Sequence, residues 1–133
     1  MLHHISLGVS DLTRSGRFYD AIFKPLGYFR VWEDIRPGER HQAIGYGIEE
    51  GKDLFALKER HAENLAPGKG FHLAFAAPSQ EAVAAWHRIG LEFGGTDQGL
   101  PKVWEEFGSN YYAAYLADPD GWQIEAVFKL AKP

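Results

Sequence analysis

The chain has 133 residues, 45% hydrophobic and 14% aromatic, which suits one globular domain spanning residues 1–133. Its net charge of -4 comes without any basic stripe, which argues against nucleic acid as a partner. Because it has no cysteine, disulfides and thiolate metal sites are excluded, and any metal must be held by His, Asp or Glu. No apolar run approaches the ~20 residues of a membrane helix, and no signal-peptide pattern is present. We therefore expect a cytoplasmic protein with no membrane partner.

The first predicted element is a strand over residues 2–9. Apolar residues alternate there with small or polar ones, as expected of a strand with one face in the core. The core face carries Ile5, Leu7 and Val9. His4 and Ser6 lie on the opposite face, whereas His3 shares the parity of the core set at the frayed strand end. The pattern therefore singles out His4 of the two adjacent histidines as the one that faces away from the core.

A helix and three further strands complete a predicted β-α-β-β-β module over residues 1–60. Ser10 or Asp11 caps the helix, and Pro25 and Gly27 end it. The segments "YFRVW", "RHQAIGYG" and "KDLFALK" are separated by turn-forming stretches, which predicts a meander.

The same order of elements returns over residues 69–129, where "FHLAF" begins the second module. His72 and Ala74 lie on its non-core face, Ser79 caps a helix, and "KVWEEF", "NYYAAYLA" and "WQIEAVF" predict strands. An offset of 68 residues superposes three pairs of residues: His4 on His72, Phe18 on Trp86 and Gly27 on Gly95.

Each half leaves one sheet face uncovered, so the halves are expected to pack together. This predicts an α+β fold in which two paired β-α-β-β-β modules form a curved mixed sheet around a central cavity, with the helices outside. The faces of His4 and His72 would then line this cavity, which has room for a small-molecule ligand.

The segment "DPDG" at 118–121 predicts a tight turn between the last two strands. If Gly121 takes the left-handed position of a three-residue loop, Asp118 lies opposite Trp122, and Tyr115 lies opposite Glu125. Directly opposed residues share a face, so Glu125 and Tyr115 point away from the core.

Two imidazoles and one carboxylate on cavity-facing sides form a candidate facial ligand set for a divalent metal: His4, His72 and Glu125. Two alternatives stay open. His4 points into solvent, or Glu125 pairs with an arginine such as Arg30. The other histidines are expected on the surface or in packing contacts and receive no role: His3, His41, His61 and His87.

Together, "HISLGVSDL", "FHLAF" and "DPDGWQIEAV" resemble the vicinal oxygen chelate superfamily, which includes glyoxalase I, fosfomycin-resistance transferases, extradiol dioxygenases and antibiotic-binding resistance proteins. The resemblance implies a metal ion bound by His4, His72 and Glu125, and a homodimer. It also implies that Ser6 and Tyr115 face the substrate, as hydroxyl residues at these positions do in the transferases.

The departures from the family pattern limit the substrate and the reaction. Glyoxalase I-like enzymes have a fourth ligand near Ala56 or Leu57, and neither of these residues binds metal. The transferases place an arginine beyond the final glutamate, where this chain has only Lys129 and Lys132, so a phosphonate substrate is disfavoured. His87 falls on a helix, away from the position of the catalytic histidine in extradiol dioxygenases.

The leading hypothesis is a metal-dependent enzyme whose ion (Zn, Fe, Mn or Ni) holds adjacent oxygens of a small substrate, with Ser6 and Tyr115 as catalytic hydrogen-bonding groups. The reaction would be of the lyase or isomerase, transferase or ring-cleaving dioxygenase type. The alternative is a non-catalytic protein that binds an antibiotic or another small molecule.

Overall fold

The computed structural model describes residues 1–39, 41–61 and 65–131. The first module contains β1 (Ile5–Val9), α1 (Leu12–Phe23), β2 (Phe29–Asp34), β3 (Ala43–Gly47) and β4 (Phe55–Glu59). The second contains β5 (Leu73–Ala76), α2 (Gln80–Glu92), β6 (Thr96–Val103), β7 (Tyr111–Ala117) and β8 (Gln123–Lys129). Short 3₁₀ turns follow α1, at Lys24–Leu26, and β6, at Glu105–Phe107.

Each module forms a mixed four-stranded sheet with the same topology. The strand orders are β1-β4-β3-β2 and β5-β8-β7-β6. In each sheet the first and last strands of the module pair in parallel, and the other pairs are antiparallel. The predicted α+β fold of two β-α-β-β-β modules is therefore confirmed.

Both helices begin with the caps expected from the sequence. The Asp11 side chain accepts a hydrogen bond from the backbone N–H of Arg14, and the Ser79 side chain accepts one from the N–H of Ala82. Of the two cap candidates for α1, Asp11 therefore caps the helix. These bonds satisfy backbone donors that have no partner inside the helix.

One hydrophobic core joins the two modules. The helices contact each other, and Phe18 and Trp86, matched by the internal repeat, are both fully buried. The ring of Phe75 on β5 lies 5.0 Å from that of Phe23 and 5.4 Å from that of Phe55, both in the first module. Each helix packs on one face of its own sheet, so no helix of the described residues covers the opposite faces.

The DPDG turn connects the modules through a buried carboxylate. Oδ1 of Asp118 accepts the backbone N–H groups of Asp120 and Trp122, and Oδ2 accepts the hydroxyl of Tyr19 on α1 at 2.7 Å. Gly121 has a φ of 92°, the left-handed conformation that the turn prediction required. Asp118 also pairs with Trp122 through the backbone, so the predicted register is confirmed.

The strand predicted around "KVWEEF" was misplaced. β6 begins earlier, at Thr96, and Glu105–Phe107 is a 3₁₀ turn. Bulges interrupt β6 on both sides of Gly99, so this edge strand shows no apolar alternation. Pro101 is tolerated there because an edge strand leaves backbone N–H groups unpaired.

In the described part of the chain, no helix is long and apolar enough to cross a membrane.

The Asp118 contacts predict a specific pH dependence of stability. Burial raises the pKa of Asp118 to about 6, above the value of about 3.9 expected in the unfolded chain. The folded state therefore binds the proton of the Asp118 carboxyl more tightly than the unfolded chain does. The stability that this bound proton contributes is lost as pH rises from about 4 to about 6. Asp118→Asn keeps the Oδ1 acceptor without a titrating proton. The free energy of unfolding of wild type should fall relative to this variant by on the order of 2–3 kcal/mol over that window.

Urea unfolding at a series of pH values measures this difference. Asp11→Asn is the matched control, because Asp11 is exposed and asparagine caps helices equally well. Parallel pH profiles for wild type and Asp118→Asn would contradict the assignment.

Candidate functional site

Glu125 is the centre of the candidate site, in the middle of β8. It lies between Ala74 on β5 and Tyr115 on β7 in the sheet register, as predicted for Tyr115. Its side chain points away from α2 but is only 1% exposed. A carboxylate buried to this degree requires hydrogen-bonding partners, since desolvation of an unpaired charge is costly.

Two side chains contact the carboxylate, and one of them donates a hydrogen bond to it. Nε2 of His72 lies 3.0 Å from Oε1 of Glu125, and the hydroxyl of Tyr111 donates a hydrogen bond to Oε2. The alternative pairing of Glu125 with Arg30 is not found, because Arg30 binds Asp20 and Glu33. The carboxylate is therefore held by one imidazole and one phenol of its own module.

Both tyrosines beside Glu125 keep their protons well above neutral pH. Burial, reinforced by the nearby Glu125 carboxylate, raises the pKa of Tyr115 to about 12. Burial and the hydrogen bond to Glu125 also raise the pKa of Tyr111. Their hydroxyls therefore remain donors across the physiological range, and the ring of Tyr115 lies 6.4 Å from that of His72.

These groups face an open cavity of about 430 Å³, a size typical of small-molecule sites. All its described lining residues belong to the second module or to the segment just before it: Gly70, Phe71, His72, Gln98, Phe107, Tyr111, Tyr115, Gln123 and Glu125. The His72 side chain is 52% exposed, so its ring is accessible from the cavity.

The structure does not bring the other two predicted residues into this cavity. His4 is exposed just before β1, and its Nδ1 lies 2.9 Å from Nδ1 of His3. Ser6 is exposed on β1, opposite Ala56. Within residues 1–39, 41–61 and 65–131, no three His, Asp or Glu side chains are close enough to hold a metal together. Within one chain, therefore, the cavity is lined by His72, Glu125 and Tyr115, whereas His4 and Ser6 do not line it.

A smaller cleft of about 180 Å³ is lined by both modules. Its described lining is mainly apolar: Ile5, Tyr28, Tyr46, Gly47, Leu54, Phe55, Leu73, Ala74, Phe75 and Ala76. This cleft is the part of the structure closest to the expected shared cavity, but its described lining carries no carboxylate or imidazole.

Sequence reasoning missed the role of Tyr111. It shares the parity of Tyr115 on β7, which was the available signal, but its bond to Glu125 depends on the exact position of the strand start.

His87 is buried on α2 and its Nε2 lies 2.8 Å from Oδ1 of Asp97. This hydrogen bond lowers the pKa of Asp97, and it explains why a buried imidazole is tolerated outside the candidate site.

Comparisons with known proteins agree with this architecture. The family model for the Glyoxalase/Bleomycin resistance protein/Dioxygenase superfamily matches residues 1–126. The chain belongs to this superfamily. A comparison with curated proteins finds no match.

Several solved structures share the fold. A glyoxalase/bleomycin resistance protein from Albidiferax ferrireducens T118 is 32% identical with a TM-score of 0.75, over 96% of this chain and 98% of that one. A glyoxalase-related enzyme from Fulvimarina pelagi is 25% identical with a TM-score of 0.68, over 97% and 88% of the two chains. A glyoxalase I mutant from Zea mays is 22% identical with a TM-score of 0.74, and the match covers 95% of this chain and 46% of the maize protein.

The hydrogen bond from Tyr111 predicts a measurable contribution to stability. Tyr111→Phe leaves Oε2 of the buried Glu125 without this donor, so the free energy of unfolding should fall by about 1–3 kcal/mol, the cost of an unsatisfied buried acceptor. Urea unfolding at neutral pH measures the loss. Tyr112→Phe is the matched control, because Tyr112 lies on the opposite face of β7, against the core. Equal losses in both variants would show that the bond to Glu125 contributes nothing specific.

Proposed function

We propose that this protein is a metal-dependent enzyme that binds a small substrate through adjacent oxygens. The observation that carries the proposal is the pair of Glu125 and His72. A buried carboxylate and a half-exposed imidazole lie 3.0 Å apart at the wall of an open cavity. Such a pair supplies the oxygen and nitrogen donors that divalent transition metals prefer. Membership of the superfamily supports the same reading.

The donor set of one chain fits part of a metal site. His72 and Glu125 would be two ligands, and a facial set requires a third. His4 is the candidate, because it is exposed and does not line the cavity of its own chain. We propose that a second copy brings His4 to the pair in a homodimer. A divalent ion of the Zn, Fe, Mn or Ni class, once bound, supplies Lewis-acid polarisation of the substrate oxygens.

The residues of the chain have separate roles in this proposal. Tyr115 stays protonated and is directly opposite Glu125, so it is placed to donate a hydrogen bond to a substrate oxygen. Tyr111 holds Oε2 of Glu125 and thereby fixes the carboxylate. Ser6 follows His4 by two residues, so it would enter the site with His4 from the second copy.

Metal content of the purified protein, measured by elemental analysis, tests the ligand assignment. His72→Ala and Glu125→Gln should lower bound metal severely, and so should His4→Ala, because each removes one of three protein ligands. His3→Ala is the matched control for His4→Ala and should retain the metal content of wild type. Equal loss in the two histidine variants would contradict the choice of His4, and metal-free wild-type protein would favour the non-catalytic binding protein.

A mixed dimer tests whether the ligands come from two chains. His4→Ala and His72→Ala chains with different tags are coexpressed, and the doubly tagged dimer is isolated. If each site combines His4 of one chain with His72 and Glu125 of the other, the mixed dimer has one intact site. It should then bind half the metal of wild type, whereas both variant homodimers bind little. A mixed dimer as empty as the homodimers would contradict a shared site, and a monomeric wild type in light scattering would contradict the dimer.

A further inference from the structure

The cavity around Glu125 has an aromatic side chain at each end. The sheet register places Phe71, just before β5, near the start of β8, because β5 and β8 run parallel from Leu73 and Ile124. Tyr111 pairs with Lys129 at the other end of β8, and the ring of Phe107 lies 5.5 Å from that of Tyr111. The cavity therefore runs along β8, with the Glu125 and His72 pair between the two ends.

Phe107 is the more accessible of the two end residues. It lies on the three-residue turn Glu105–Phe107, lines the cavity and is 60% exposed. Only the ring of Tyr111 is packed against it among the described aromatic side chains. A large apolar ring at a cavity mouth gains contact area when a second ring stacks on it, so its position favours ligands with a planar group.

The charges at this end of the cavity oppose an anionic ligand. The described lining includes no Lys or Arg, and Glu105 and Glu106 lie on the same turn as Phe107. Two described lysines lie on the adjoining strands: Lys102 has its Nζ 4.2 Å from the ring centre of Trp104, and Lys129, directly opposite Tyr111 on β8, is exposed and does not line the cavity. The remaining polar lining groups include the neutral amides of Gln98 and Gln123.

We propose that the substrate is a neutral molecule with an aromatic ring next to its paired oxygens, and that the ring stacks on Phe107. This inference rests on the proposed function for the position of the oxygens. Phe107 is then a specificity-determining residue, with no part in metal binding. Because the pair of Glu125 and His72 lies in the middle of the cavity, ring and oxygens would be contacted by different residues, and their contributions are separable.

Calorimetric binding to the purified, metal-containing protein tests the inference with three probes. Hydroxyacetone carries the paired oxygens alone, α-hydroxyacetophenone adds the ring, and its para-carboxylate derivative adds a negative charge at the far side of the ring. α-Hydroxyacetophenone should bind about tenfold more tightly than hydroxyacetone, and the carboxylate should remove most of this gain. Equal affinities of the two uncharged ketones, or tighter binding of the carboxylate, would overturn the inference.

Variants of Phe107 locate the effect. Phe107→Ala should reduce the preference for α-hydroxyacetophenone over hydroxyacetone at least fivefold, with the affinity for hydroxyacetone unchanged. Phe107→Tyr keeps an aromatic ring and should therefore retain the preference of wild type. Phe93→Ala is the matched control, because Phe93 is an exposed phenylalanine that does not line this cavity. Metal content and oligomeric state are measured for each variant. A Phe107→Ala protein that loses metal or dissociates would overturn the inference, because the ring would then have a structural role.

Failure of the proposed function gives a different result. In that case His72→Ala leaves metal content and hydroxyacetone affinity unchanged, whatever the ring preference of wild type. Failure of the present inference leaves the effects of His72→Ala intact and removes only the dependence on Phe107.

Discussion

The hydrogen bonds to the buried carboxylate of Asp118 determine where the candidate site forms. They hold the turn in which Gly121 adopts its left-handed conformation, and this turn fixes the pairing of β7 with β8. A slip of one residue would turn every side chain on β8 to the other face. Tyr19 donates to the same carboxylate from α1, so one group sets the strand register of the second module and joins it to the first.

The energetics of Glu125 follow from that register. The residue lies on the face of the sheet that carries no helix, yet neighbouring side chains exclude water from it. The hydrogen bond from Tyr111 and the contact with His72 offset the cost of removing this side chain from water. An apolar residue at this position would avoid the desolvation cost entirely. A buried carboxylate beside an accessible imidazole is therefore the feature on which the proposed function rests.

The sequence predicts local and paired features well and the assembly poorly. Alternation and the DPDG turn were sufficient to place Tyr115 opposite Glu125. Cap chemistry identified Ser79 and limited the cap of α1 to Ser10 or Asp11. The path of β6 was not predictable, since its bulges and Pro101 erase the period of two that identifies a strand. His4 does not line the cavity of its own chain, and its assignment as a ligand stays a prediction. Parity assigns a side chain to a sheet face, but it holds no information on how two separate sheets lie relative to each other.

The two modules share a topology but have opposite arrangements of large and small residues, which explains why only one carries the candidate site. In the first sheet Ser6 pairs with Ala56, and Ala56 pairs with Gly45. Ala56 is therefore the counterpart of Glu125, and Gly45 is the counterpart of Tyr115. The indole of Trp32 occupies the space above Gly45, where a Cβ would lie 2.2 Å from its Nε1. In the second module the small residue is instead Gly99, on the outer strand beside Tyr115. In the first module the indole of Trp32 therefore fills the space that corresponds to the open cavity beside Glu125 in the second module.

The two candidate positions for the family's fourth ligand also lack a suitable side chain. Leu57 is buried in the core, and Ala56 has no donor atom in its side chain.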